Sequence, residues 1–131
     1  MDKNSFTIST FLPANPEVIF QDWLSSSGHS ALTGSPASVE PGIGGKFTAW
    51  DGYISGVTLE LEPGRRILQA WRTTEFPADS PDSRLEVLLE KEGSGTRLTL
   101  VHSEIPEGQA EEYLQGWKDY YFNPMAEYYS R

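Results

Sequence analysis

The end of the chain constrains the fold most. Behind "IPEG", residues Ala110, Tyr113, Leu114, Trp117, Tyr121, Met125 and Tyr128 recur at intervals of three and four, the period of one helical face. A stripe built mostly of large rings needs a broad apolar partner. The preceding stretch, from Val39 to about Ser103, offers one in the form of repeated alternation. "VTLELEP" sets Val57, Leu59 and Leu61 on one face, "RLEVLLEKE" sets Leu85, Val87 and Leu89, and "TRLTLVH" sets Leu98, Leu100 and His102. Such alternation predicts an antiparallel sheet with one covered face. Turns are expected at 41–45, Asp51-Gly52, Pro63-Gly64, "FPADSPDS" and 92–95. Pro124 lies inside the final stripe and is expected to interrupt the helix near 120–123, because it lacks the backbone donor.

The start of the chain completes the order. "NSFTISTFL" predicts a first strand with Phe6, Ile8 and Thr10 on one face. "LPANPEVIFQDWLS" then predicts a helix with Asn15 as cap, Pro16 in its first position and Glu17 at the positive dipole end. Its apolar stripe is Ile19, Phe20, Trp23 and Leu24, and "SSSGHSALTGSPAS" follows as a second short helical turn and a loop. Strand, helix pair, antiparallel strands and a long covering helix make an α+β chain, expected to be one domain over residues 1–131.

"GGKFTAWDGYISG", residues 44–56, poses a choice between a phosphate loop and a hairpin. A phosphate loop places its glycines between a strand and a helix N-terminus. Here the glycines surround strand-forming residues and an Asp-Gly turn, whose two central positions take positive φ. The hairpin is the better reading, with Phe47 and Ala49 on one face and Trp50 near the tip. The net charge of −9 opposes nucleic acid and anionic membrane surfaces as partners. There are no cysteines, no window long and apolar enough to span a bilayer and no leader-like start, so a cytoplasmic protein is expected.

Candidate site residues lie where helix and sheet should face each other. Trp117 and Tyr121 would oppose Phe47, Leu59, Ile67, Trp71, Val87 and Leu100, with Phe20 and Trp23 from the first helix as a floor. Gln69 and His102, flanked by apolar neighbours on the same face, are the polar groups of such a space. The pattern suits a solid core and a ligand cavity equally. His102 has the chemistry of a general acid–base, and Glu104 would share its face if the strand continued. No nucleophile pairs with it, so a core histidine and a non-enzymatic protein are expected. His29 is expected in a solvated loop, and the two histidines have no metal-site spacing. Glu60, Glu62, Glu86 and Glu90 belong to the solvent face of the sheet, while Arg65, Arg66 and Arg72 form either a small basic patch or surface ion pairs. No cofactor is implied.

Several segments resemble a known family. "GGKF", "DGYISG", "LEPGRRILQAWR", the 96–100 strand, "EIP" and "QGWKDYYF" are similar, in order and spacing, to the C-terminal domain of the activator-of-heat-shock-protein-90-ATPase family. The similarity runs from about Phe6 to Tyr128, and "GWxxYYF" close behind "IP" is its most specific part. The resemblance implies the helix-grip fold of the START and birch-pollen-allergen superfamily, a curved sheet gripping a long C-terminal helix over a cavity. It also implies two partners, a small hydrophobic or amphipathic ligand and the 90-kDa chaperone. Eukaryotic members carry a separate N-terminal domain that supplies much of the chaperone docking. These 131 residues match the C-terminal type alone, so ligand binding is the leading expectation and chaperone stimulation the alternative.

Overall fold

The computed structural model describes residues 3–131; Met1 and Asp2, the first residues of the start on which the expectation about a leader falls, lie outside them. Seven strands form one antiparallel sheet: β1 (Phe6–Leu12), β2 (Ser38–Val39), β3 (Lys46–Ala49), β4 (Ile54–Glu62), β5 (Arg66–Thr73), β6 (Ser83–Glu92) and β7 (Gly95–Ser103). Their spatial order is β1-β7-β6-β5-β4-β3-β2, so the first strand pairs with the last and the remainder form a meander. Helices α1 (Pro16–Trp23) and α2 (Ser26–Thr33) follow β1. The chain ends in α3 (Ala110–Trp117), a π-helical turn (Lys118–Phe122) and α4 (Asn123–Tyr129).

Register lines up the alternating residues into one buried face. Leu100 pairs with Val87 and Ile8, and Val87 with Ile67; His102 pairs with Leu85 and Phe6, and Leu85 with Gln69. Ile67, Leu85, Val87, Leu98, Leu100 and His102 are completely buried as a result. Glu60, Glu62 and Glu90 are exposed on the other side, as alternation requires. Arg66 there bridges Glu60, Glu62 and Glu86 at 2.5–3.6 Å, and Arg72 bonds Asp82 at 2.7 Å. Those two arginines are tied into ion pairs rather than forming a basic patch.

Two features depart from simple alternation. β4 and β5 slip register between Thr58 and Glu60, leaving Leu59 as an extra, half-buried residue. The inner face of β4 therefore passes from Ile54, Gly56 and Thr58 to Leu61, and Leu59 falls outside the apolar core cluster. The hairpin between β3 and β4 is a four-residue loop, 50–53, since Ala49 pairs directly with Ile54. Trp50, Asp51 and Gly52 take φ of 51°, 56° and 91°, a left-handed run, and the Trp50 ring meets Tyr120 of the C-terminal helix. Gly56 is demanded by a close approach: a Cβ there would lie 1.9 Å from the Ala70 carbonyl oxygen and 2.6 Å from the Phe47 ring.

Pro124 interrupts the last helix as its chemistry requires. The Asn123 N–H donates to the Lys118 carbonyl, five residues back, and Pro124 lies in the first turn of α4. The widened turn adds a residue to the apolar face, so Tyr121 and Phe122 are both buried. At the front of α1, Asn15 holds the cap position without capping through its side chain; its Oδ1 instead accepts from Lys91 Nζ at 2.9 Å. Among the described residues, no helix is long and apolar enough to cross a membrane.

Candidate functional site

The helix pair closes one end of the space between sheet and C-terminal helix, and does so with paired polar atoms. Trp23 Nε1 donates to Gln69 Oε1 at 3.3 Å, and Gln69 Nε2 donates to Thr58 Oγ1 at 3.2 Å. His29 is 3% exposed within α2, not in a solvated loop. Its Nδ1 lies 2.9 Å from the Trp23 carbonyl, which only accepts, so Nδ1 carries the proton. Nε2 accepts from the Tyr121 hydroxyl at 2.7 Å. Burial lowers the His29 pKa and raises that of Tyr121, so both stay neutral.

His102 is bound up in the same way. The Trp117 indole can only donate, and it lies 3.1 Å from His102 Nδ1; Nε2 therefore holds the proton and donates to Ser83 Oγ at 2.8 Å. The Ser83 hydroxyl in turn donates a hydrogen bond to the Trp71 carbonyl at 2.8 Å. Burial pushes the imidazole pKa down to about 3. Glu104 does not share its face: β7 ends at Ser103, and Glu104 turns away (φ 58°) toward Arg84 at 3.7 Å. With both nitrogens engaged and no carboxylate beside it, His102 holds the core together and has no free atom for proton transfer.

Beyond these networks the space opens. A cavity of about 400 Å³ lies between the β3–β4 hairpin, β5 and the C-terminal helix, lined by Trp50, Tyr53, Ile54, Trp71, Glu75, Tyr113, Gly116, Trp117, Tyr120 and Tyr121. Trp71, Trp117 and Tyr121, each 3% exposed, form its floor, while Tyr120 (57% exposed) stands at the rim beside Trp50, their ring centroids 5.4 Å apart. A polar relay fixes the helix against the sheet here. Tyr113 donates to Gln109 Oε1 at 2.7 Å and accepts from Thr73 Oγ1 at 2.7 Å; Thr73 Oγ1 in turn accepts from the Glu75 N–H at 3.1 Å. Tyr53 donates to the Glu75 carboxylate. Trp50 Nε1 is buried and has no hydrogen-bond partner.

Of the residues expected to face a cavity, Trp71, Trp117 and Tyr121 line it. Trp23, Phe47, Ile67, Gln69, Val87, Leu100 and His102 are buried in the solid part of the core; Phe20 packs against it half-buried, and Leu59 lies on the bulge. The lining residues absent from that expected set are Trp50, Tyr53, Ile54, Glu75, Tyr113, Gly116 and Tyr120. Two of them carried a signal. Tyr113 lies on the helical stripe, and Gly116, three residues on, removes a side chain from that stripe where the cavity lies. No group of three or more His, Cys, Asp or Glu among the described residues is placed to hold a metal ion.

An antiparallel sheet curved around a long C-terminal helix, with a helix pair after the first strand and a cavity beneath the helix, defines the helix-grip class. The chain belongs to the family described as "Activator of Hsp90 ATPase homolog 1-like protein", whose profile matches residues 13–130. It is 31% identical over 118 residues to the human activator of 90 kDa heat shock protein ATPase homolog 1, covering 90% of this chain and 34% of that protein. The corresponding activator homolog of Dictyostelium discoideum is 33% identical over 89 residues, 67% of this chain and 23% of that one. The chain thus spans about a third or less of the curated relatives it matches. Among solved structures, an HSP90 activator from Plasmodium falciparum superposes with a TM-score of 0.83 at 26% identity, covering 91% of each chain. CalU16 from Micromonospora echinospora gives 0.79 at 25% identity, over 96% of this chain and 76% of that one.

Proposed function

We propose that this protein is a non-enzymatic, cytoplasmic helix-grip domain that holds a small hydrophobic or amphipathic molecule under its C-terminal helix. The observation that carries this reading is the aromatic cavity of about 400 Å³, open at the Tyr120 rim. Its size falls in the range of small-molecule sites, and its few polar groups suit orientation rather than chemistry. The neutral, fully engaged His102 supports the non-enzymatic part. Native mass spectrometry of protein purified from its own host is the test. A reproducible extra mass released on unfolding is expected, and Gly116→Leu, which projects a side chain into the cavity, should diminish it. A bare chain in repeated preparations would defeat the reading.

The second reading is contact with the 90-kDa heat-shock chaperone, favoured by the 31% identity to the human ATPase activator. Such contact would use the surface, so it predicts chaperone binding and ATPase stimulation undiminished in Gly116→Leu. Failure of the wild-type chain to associate at micromolar concentration would remove it.

A further inference from the structure

The charges around the cavity mouth are one-sided. No lysine, arginine or histidine lines the cavity, while Glu75 does. Several acids on the outer side of the sheet are answered by arginines: Glu60, Glu62 and Glu86 by Arg66, Glu104 by Arg84, and Glu92 by Arg97. Among the described residues, no cationic group forms such a bridge to Glu75; the described donor to its carboxylate is the Tyr53 hydroxyl. Glu75 is also held in place. Its N–H donates to Thr73 Oγ1 at 3.1 Å, and its carbonyl accepts from Gln109 Nε2 at 3.0 Å, which pins the backbone on both sides. The negative field is felt by its neighbours. Burial is the first cause of the raised Glu112 and Tyr113 pKa values, and the Glu75 charge adds to both.

Around this carboxylate stand aromatic rings, whose faces carry partial negative charge. Trp50, Tyr53 and Tyr120 occupy the outer part of the cavity, and Trp71 and Trp117 its floor. Ring faces beside an unpaired carboxylate repel anions and attract organic cations, above all weakly hydrated ammonium groups. We propose that the cavity selects a cationic amphiphile, its apolar body over Trp71 and Trp117 and its ammonium group at the mouth beside Glu75 and the rings of Trp50, Tyr53 and Tyr120. This selection rests on the ligand-binding reading and adds the charge of the occupant to it. The net charge of −9 acts in the same direction at longer range, drawing cations toward the surface.

Three probes with one aromatic body separate the two ideas: phenylbutyl trimethylammonium, phenylbutanol and phenylbutyrate. Binding is read from the indole N–H signals of the protein by NMR titration, since Trp50, Trp71 and Trp117 all line the cavity. The cation is expected to bind about tenfold more tightly than the alcohol, with the carboxylate weakest. Glu75→Gln should remove most of the cation's advantage and leave the alcohol's affinity unchanged. An alcohol that binds as tightly as the cation overturns the charge selection while leaving the ligand-binding reading intact. So does a cation preference that survives Glu75→Gln. Absence of shifts with all three probes overturns both. The wild-type ranking decides alone should the variant not fold.

Discussion

Tyr120 and Tyr121 are neighbours in the chain and meet opposite surroundings. Tyr121 lies against Trp23 and His29, with ring centroids 5.3 and 5.5 Å away, and its hydroxyl is spent on His29. Tyr120 lies against Trp50, more than half exposed, beside an indole N–H that bonds to nothing. One side is solid and the other hollow, although both are built from rings. The difference lies in what the facing element supplies. The α1–α2 pair brings a carbonyl, an imidazole and an indole into reach, so every polar atom there is answered and the rings close up. The β3–β4 hairpin brings Trp50, whose indole N–H is unanswered, and Tyr53, whose hydroxyl goes to Glu75, and the space beneath them stays open.

The largest test of this contrast is Trp23→Ala. It removes a fully packed ring and the donor to Gln69, and should cost about 3–5 kcal/mol in urea denaturation, against about 1–2 kcal/mol for Trp50→Ala. Equal losses would break the comparison. The second test is pH. His102, at about 3 when folded against 6.5 when free, and His29, also lowered, take up protons only on unfolding. Stability is therefore fully present above pH 6.5 and is lost as the pH falls toward the folded pKa. His102 alone should account for about 2 kcal/mol between pH 6.5 and 5, measurable as a falling urea midpoint; a flat profile would mean that these imidazoles are not neutral and buried. Next comes Tyr121→Phe, which leaves His29 Nε2 without its donor and should cost about 1–2 kcal/mol in thermal unfolding. Smallest is Gly116→Leu on the hollow side. A Cβ at Gly116 meets only the Tyr120 ring, at 3.8 Å, so stability should change by less than about 1 kcal/mol by the same denaturation assay.

Alternation and helical period carried most of the architecture. Leu85, Val87, Leu98 and Leu100 face the core because a side-chain period of two leaves no other choice once one face is covered. Pro124 announced the break in the last helix through its missing donor. The bulge at Leu59 was not legible, because "VTLELEP" alternates without interruption and the slip is a property of two paired strands. His29 looked solvated among serines; it is buried because Tyr121, 92 residues later, delivers a hydroxyl to it. The cavity was half legible for a related reason. Trp71, Trp117 and Tyr121 advertise themselves by spacing, whereas Trp50, Tyr53 and Glu75 sit in turns whose placement only the folded sheet decides.

The π-helical turn at Lys118–Phe122 has a consequence for how the two sides can change. An α-helix of constant pitch locks every residue along it to one phase, so altering one end rotates the demands on the other. The wide turn acts as a phase break: Tyr113 and Gly116 answer to the hollow side, Phe122 and Met125 to the solid one, while Trp117 and Tyr121 touch both. Substitutions at Tyr113 or Gly116 can reshape the hollow while Phe122 and Met125 keep their places behind it. The same helix thus belongs to two separately adjustable neighbourhoods, joined by one extra residue.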